Sequence, residues 1–165
     1  QLSTLRTAPG RFEQFVGRDG KMAIVDYAHT PDALENVLKT IQAIRNKTQK
    51  IITVVGCGGN RDSGKRPIMA EISAQLSDFV VLTSDNPRLE NPEVILSQME
   101  AGIPKEKKLA YKIISDRHLA IEKAISEIAQ ANDIVLVAGK GHETYQDIQG
   151  VKHHFDDKEE VNKWL

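Results

Sequence analysis

Five short and nearly unbroken apolar runs divide this chain: residues 22–27 (MAIVDY), 51–55 (IITVV), 79–84 (FVVLTS), a weaker run at 111–115, and 134–138 (IVLVA). Runs of this length, rich in β-branched side chains and without polar alternation, predict strands covered on both faces, as in a parallel sheet. The stretches between them have helical period and good start signals. Thr30-Pro31-Asp32 sets a cap, a first-turn proline and a carboxylate before Leu34, Val37, Leu38, Ile41 and Ile44 on one face. Asn91-Pro92-Glu93 repeats the signature before residues 94–101. Ser115-Asp116 precedes a helix over 119–131 with Leu119, Ile121, Ala124, Ile125 and Ile128 inward, and Pro67 opens a helix through Leu76. Strand, helix, strand, repeated, predicts an α/β fold: a doubly wound, Rossmann-like, mostly parallel sheet with helices on both faces. The tail breaks the pattern. Residues 144–149 and 151–155 flank Gly150 as a hairpin, and Asp156-Asp157 caps a final helix ending at Leu165.

Composition narrows the function classes. The 165 residues hold 22 Lys+Arg against 23 Asp+Glu, so a net charge of -1 leaves no surplus to attract nucleic acid or an anionic membrane. Adding the 11 glycines to the 40% hydrophobic fraction brings the apolar share to about 47%, enough for one core. No membrane span or signal pattern is present, which reads as a soluble, cytoplasmic protein. The chain begins at Gln1 with methionines only at 22, 69 and 99, which reads as a piece of something longer.

Ligands on doubly wound sheets bind at the carboxyl ends of the strands. That rule selects the loops after Tyr27, Val55, Ser84 and Ala138. The second is GCGGNRDSGKRP, Gly56 to Pro67. Gly59-x4-Gly64-Lys65 mimics a phosphate loop, but Arg66 stands where Ser or Thr would hold magnesium. The dinucleotide fingerprint fails at Arg61. Arg61, Lys65 and Arg66 nevertheless cluster at a sheet mouth, where a carboxylate would sit well. In the third loop, Asp85-Asn86-Pro87-Arg88 reads either as an ordinary turn or as a stiff one that presents Asn86 and Arg88 to a ligand. In the fourth, Gly139 and Gly141 allow close backbone approach and Glu143 could hold an ammonium group. The first ends in Asp26-Tyr27-Ala28-His29, a polar strand end before a helix cap. His153 and His154 alternate faces and cannot chelate together, no metal site is expected, and Cys57 reads as packing.

DYAHTPDAL (26–34), GCGGNRDSGKRP (56–67), SDNPRLENP (84–92) and AGKGHETYQ (138–146) together resemble the carboxy-terminal domain of the Mur ligases, in their diaminopimelate-adding branch. The likeness runs from about Pro9 to Leu165. It implies an ATP-dependent amide ligase in three domains. One binds the UDP-MurNAc-dipeptide, a central one carries the phosphate loop and magnesium, and the third brings the amino acid and closes over ATP. Residues 1–10 would be linker from the central domain and 11–165 the third domain, inactive alone and without catalytic residues of its own. The resemblance maps a meso-diaminopimelate site onto Arg61, Asp85, Asn86, Pro87, Arg88, Gly139 and Glu143. Arg88 and Arg61 would grip the far carboxylate, Glu143 and the Gly139 carbonyl the far ammonium. It maps ATP contacts onto Arg11, Asp26, Tyr27 and His29. Lysine lacks the far carboxylate and would leave Arg88 unpaired, at about 1–3 kcal/mol or more. A lysine-adding, other Mur or folylpolyglutamate-type ligase domain, or a non-catalytic nucleotide-binding module, is the alternative.

Overall fold

A computed structural model describes residues 8–106 and 109–165. The apolar runs form the centre of a sheet whose strands are β1 (Glu13–Val16), β2 (Met22–Asp26), β3 (Ile51–Cys57), β4 (Phe79–Ser84), β5 (Ala110–Ile113) and β6 (Ile134–Ala138), in the order β1-β2-β6-β3-β4-β5. Strands β2 to β6 are parallel, and β1 pairs antiparallel with β2 along one edge. The doubly wound expectation is met.

Side chains alternate between two cores. Ile24, Val55, Leu82 and Leu136 face helices α1 (Pro31–Ile44), α2 (Lys65–Leu76) and α3 (Pro92–Glu100). Ala23, Val25, Val54, Val81 and Val137 face α4 (Arg117–Lys123), the π-helical turn Ala124–Ile128 that continues it, and α5 (Asp157–Trp164). The chain therefore lays its first three crossovers on one face and the next on the other. In doing so it returns from the β5 edge to insert β6 between β2 and β3. This reversal opens a crevice at the carboxyl ends of the central strands.

The caps are where the sequence placed them. Thr30, Asn91, Asp116 and Asp156 each accept a hydrogen bond from a first-turn amide. The hairpin forms as β7 (Tyr145–Ile148) and β8 (Val151–His154), apart from the main sheet. Differences have local causes. Helix α2 starts two residues before Pro67, because Lys65 and Arg66 occupy its first turn and proline remains tolerated there. The helix expected over 119–131 runs over 117–128, its last turn widening so that the Ala129 amide donates to the Ala124 carbonyl at 2.9 Å. Ile44 and Leu119, expected inside, lie at helix ends and are 40% and 39% exposed. Strand β1 was not expected, since EQFV is short and only its partner's register identifies it. Among the described residues no helix is long and apolar enough to cross a membrane.

Candidate functional site

The four strand-end loops converge on one cavity of about 350 Å³. Its wall includes Tyr27 and His29 after β2, Gly58 and Arg61 after β3, Asp85, Asn86 and Arg88 after β4, and Gly139 and Glu143 after β6. These side chains are spread over 117 positions of sequence, and parallel strands of one register bring them together. Pro87 is buried behind the turn and does not line the cavity.

Each basic group has a different commitment. Arg88 sits at φ 52, a left-handed conformation that a long side chain adopts only when its surroundings impose it. The hairpin imposes it: the Arg88 amide donates to the Asp147 carbonyl at 3.0 Å, and the Gln149 amide donates to the Arg88 carbonyl at 2.8 Å. One Arg88 nitrogen donates to the Gly59 carbonyl at 2.9 Å, leaving the rest of the fork for a ligand. Arg61 is exposed at the mouth and donates to the Asn60 carbonyl at 3.1 Å. Lys65 donates to the His29 carbonyl at 2.9 Å, tying the first two loops together. Arg66, grouped with them from sequence, is elsewhere: it is 1% exposed, and its Nη1 and Nη2 donate to Glu90, Gln98 and the Gly58 carbonyl. Three basic residues within six positions read as one patch, but the first turn of α2 rotates Arg66 inward.

Lys140 escaped the sequence reading. It is completely buried, and its ammonium donates to Asp85 Oδ1 at 3.2 Å and Asn86 Oδ1 at 2.9 Å. Asn86 Oδ1 also accepts from the Asp147 amide at 2.9 Å. The oxygens of Asp85 and Asn86 thus brace the loops against each other. Two glycines make the packing possible. A Cβ on Gly59 would lie 1.8 Å from the Pro87 carbonyl oxygen, and Gly139, at φ 117, would bring one within 3.1 Å of the Asp85 carboxylate. Burial pushes the Glu143 carboxyl above its usual value and Asp85 adds to the effect, while Lys140 and Arg88 oppose it. A carboxylate in that setting favours an incoming cation. Cys57 is buried and its thiol is pushed up to about 12 by desolvation, which suits packing and not nucleophilic attack.

Arg11, Asp26, Tyr27 and His29 line a second cavity of about 390 Å³, between β2 and α1, with Asn36 and Thr40 opposite. Tyr27 and His29 form part of the wall of both cavities. Asp26 is engaged with the backbone: its two oxygens accept from the amides of Phe12 and Ala28, each at 2.8 Å. Of the residues expected as linker, 1–7 lie outside the described ones, and Gly10 is buried against the loop at Gly141 and His142. Among the described residues no group of three or more His, Cys, Asp or Glu could hold a metal ion.

A model of the Mur ligase glutamate ligase domain matches residues 10–141. This chain belongs to the Mur ligase family. A UDP-N-acetylmuramoyl-L-alanyl-D-glutamate–2,6-diaminopimelate ligase from Phocaeicola vulgatus is 57% identical to this Mur ligase domain over 158 residues, which is 96% of the chain and 32% of that protein. A solved structure of a ligase with the same name superposes with a TM-score of 0.85 at 49% identity, over 94% of this chain and 31% of that one. A folylpolyglutamate synthase from Thermotoga maritima superposes at 0.60 and 21% identity, over 81% of this chain and 28% of that one, a likeness of fold alone. The chain spans about a third of the length of the curated relatives it matches.

Proposed function

We propose that this chain is the amino-acid-binding, carboxy-terminal part of an ATP-dependent ligase that joins meso-diaminopimelate to UDP-MurNAc-L-Ala-D-Glu in the bacterial cytoplasm. Residues 11–165 are the domain and 1–10 the end of its linker. The observation that carries the reading is the distribution of charge in the first cavity, with the Arg88 guanidinium, only one nitrogen of which is bonded to the Gly59 carbonyl, and the exposed Arg61 on its wall together with Glu143 and the Gly139 loop. A zwitterionic amino-acid end fits such a wall: its carboxylate meets the arginines and its ammonium meets Glu143. The other end of the same molecule keeps its amine free to attack an acyl phosphate made from the glutamate carboxylate and ATP, releasing ADP and phosphate. Asp85 and Pro87 hold the turn, and Asn86 contributes what its brace leaves free. ATP would lie along the second cavity, with Arg11 near the phosphates and Tyr27 and His29 near the base or ribose, so that the two substrates share the Tyr27–His29 wall. Magnesium would be held by the central domain.

The test is kinetic, on the full-length ligase. Wild type should use meso-diaminopimelate in strong preference to lysine, and Arg88→Ala should lower kcat/KM for meso-diaminopimelate on the order of 10- to 100-fold, the worth of a charged hydrogen-bond set. Equal turnover of lysine and meso-diaminopimelate by the wild type would refute the specificity.

A further inference from the structure

Arg117, the first residue of α4, lies outside the cavity wall and is completely buried, with all three of its guanidinium nitrogens engaged. Nε and Nη2 form a two-point pair with Asp157 of α5 at 2.9 and 2.7 Å. Nη1 donates to the Ser84 carbonyl at 3.1 Å, and Nη2 also donates to the Ala138 carbonyl at 3.2 Å. Those two carbonyls close β4 and β6, and the next residues in the chain are Asp85 and Gly139. Strand β3 lies between β4 and β6, so no ladder hydrogen bond joins these two strand ends. The guanidinium spans the gap from below, as Lys140 does from the loop side.

A buried ion pair is weak grounds for stability, because well-packed apolar side chains at such positions serve as well or better. What an apolar pair cannot do is donate to a carboxylate and two carbonyls in fixed directions, and among side chains only the planar five-donor fork of arginine is suited to it. We propose that Arg117, locked by Asp157, is a positioning residue that sets the spacing between the Asn86–Arg88 turn and the Gly139–Glu143 loop, and thereby the affinity for the zwitterionic end of the amino acid. The part concerning the amino acid rests on the function proposed above. The part concerning loop spacing does not, and the two are tested separately.

In the full-length ligase, Arg117→Lys keeps the charge but loses the fork. The double variant Arg117→Met with Asp157→Leu removes the pair while keeping the volume apolar. Both should raise KM for meso-diaminopimelate by roughly tenfold or more, with KM for ATP within about twofold of wild type, since the second cavity lies between β2 and α1. Thermal melts separate positioning from stability: the double variant should lower Tm by no more than the two carbonyls left without this donor account for, leaving the ligase folded at the assay temperature. Unchanged KM for meso-diaminopimelate in either variant, or equal rises in both KM values, would overturn the proposal. Should wild type fail to use meso-diaminopimelate, the functional reading falls, and amide hydrogen exchange on this 165-residue chain decides the spacing alone. In Arg117→Lys, exchange at Gly59, Arg88, Asp147 and Gly139 should quicken by roughly tenfold while Phe12 and Ala28 hold. Uniform change across both sets would count against it.

Discussion

The side chains that matter at this site divide into those held still and those left free. Arg88 has its backbone pinned in a left-handed conformation by the hairpin and most of its guanidinium unspent. Asp85 and Lys140 are spent on each other. Removing one partner of such a buried pair strands the other's charge, so these two brace the site from within, Asp85 from the cavity wall and Lys140 from behind it. Cys57 gives a clean test of burial at the same strand end. Its thiol holds its proton in the folded state up to about pH 12, whereas the unfolded thiol loses it near pH 9. Between those values the folded state binds the extra proton, so stability is fully present below pH 9 and falls as pH rises towards 12. The contribution to the slope is at most about 1.4 kcal/mol per pH unit. Denaturant unfolding of wild type and Cys57→Ala across that window should show the shallower slope in the variant, and parallel slopes would mean that the thiol is not protected.

At the scale of elements, the helices are written into their first turns and the loops follow from how those turns are aimed. Asn91 shows the economy of this arrangement. Its side chain accepts from the Glu93 amide at 2.9 Å and starts α3 right after the Arg88 turn, while Glu90, one residue earlier, takes both the Asn60 amide and the Arg66 guanidinium. Asn91→Ala should cost about 1 kcal/mol, a fall in Tm of roughly 2–4 °C for a chain of this size, measurable by calorimetry. The hairpin has a role that its own sequence does not announce. Two short strands flanking Gly150 identify a turn, yet β7 serves chiefly as the template for Arg88, through Asp147 and the bridge at Ile148. That contact joins residues about 60 positions apart, and no local pattern encodes it.

At the scale of the whole molecule, the reversal of winding after β5 puts β6 between β2 and β3 and so brings the 139–143 loop between the other three. The first cavity results, and it shares a wall of Tyr27 and His29 with the second. In the proposed ligase that wall lets one domain carry both the amino acid and one side of the nucleotide as the domains close. One side is a weak site by itself. Titration calorimetry of this chain with ATP should give a Kd no tighter than about 0.1 mM, corresponding to roughly 5.5 kcal/mol or less. Micromolar binding would mean that the glycine-rich loop after β3 is a complete phosphate site after all.

Periodicity and punctuation were enough to place the central strands, the four helix caps, the hairpin and the four loops that form the cavity, because these depend on residues within a turn or two of each other and on the rule that parallel sheets present their carboxyl ends. Arg61, Arg88, Gly139 and Glu143 were legible as candidates for the same reason. Tertiary structure alone decided that Arg66 turns inward, that Lys140 is a buried brace and that Arg117 pairs with Asp157 across 40 residues. It also decided that Glu13–Val16 is a strand at all. The physical reason is that a charged side chain is drawn into the interior only by a partner that the fold supplies. A lysine or arginine destined for burial therefore looks, in sequence, like one destined for solvent.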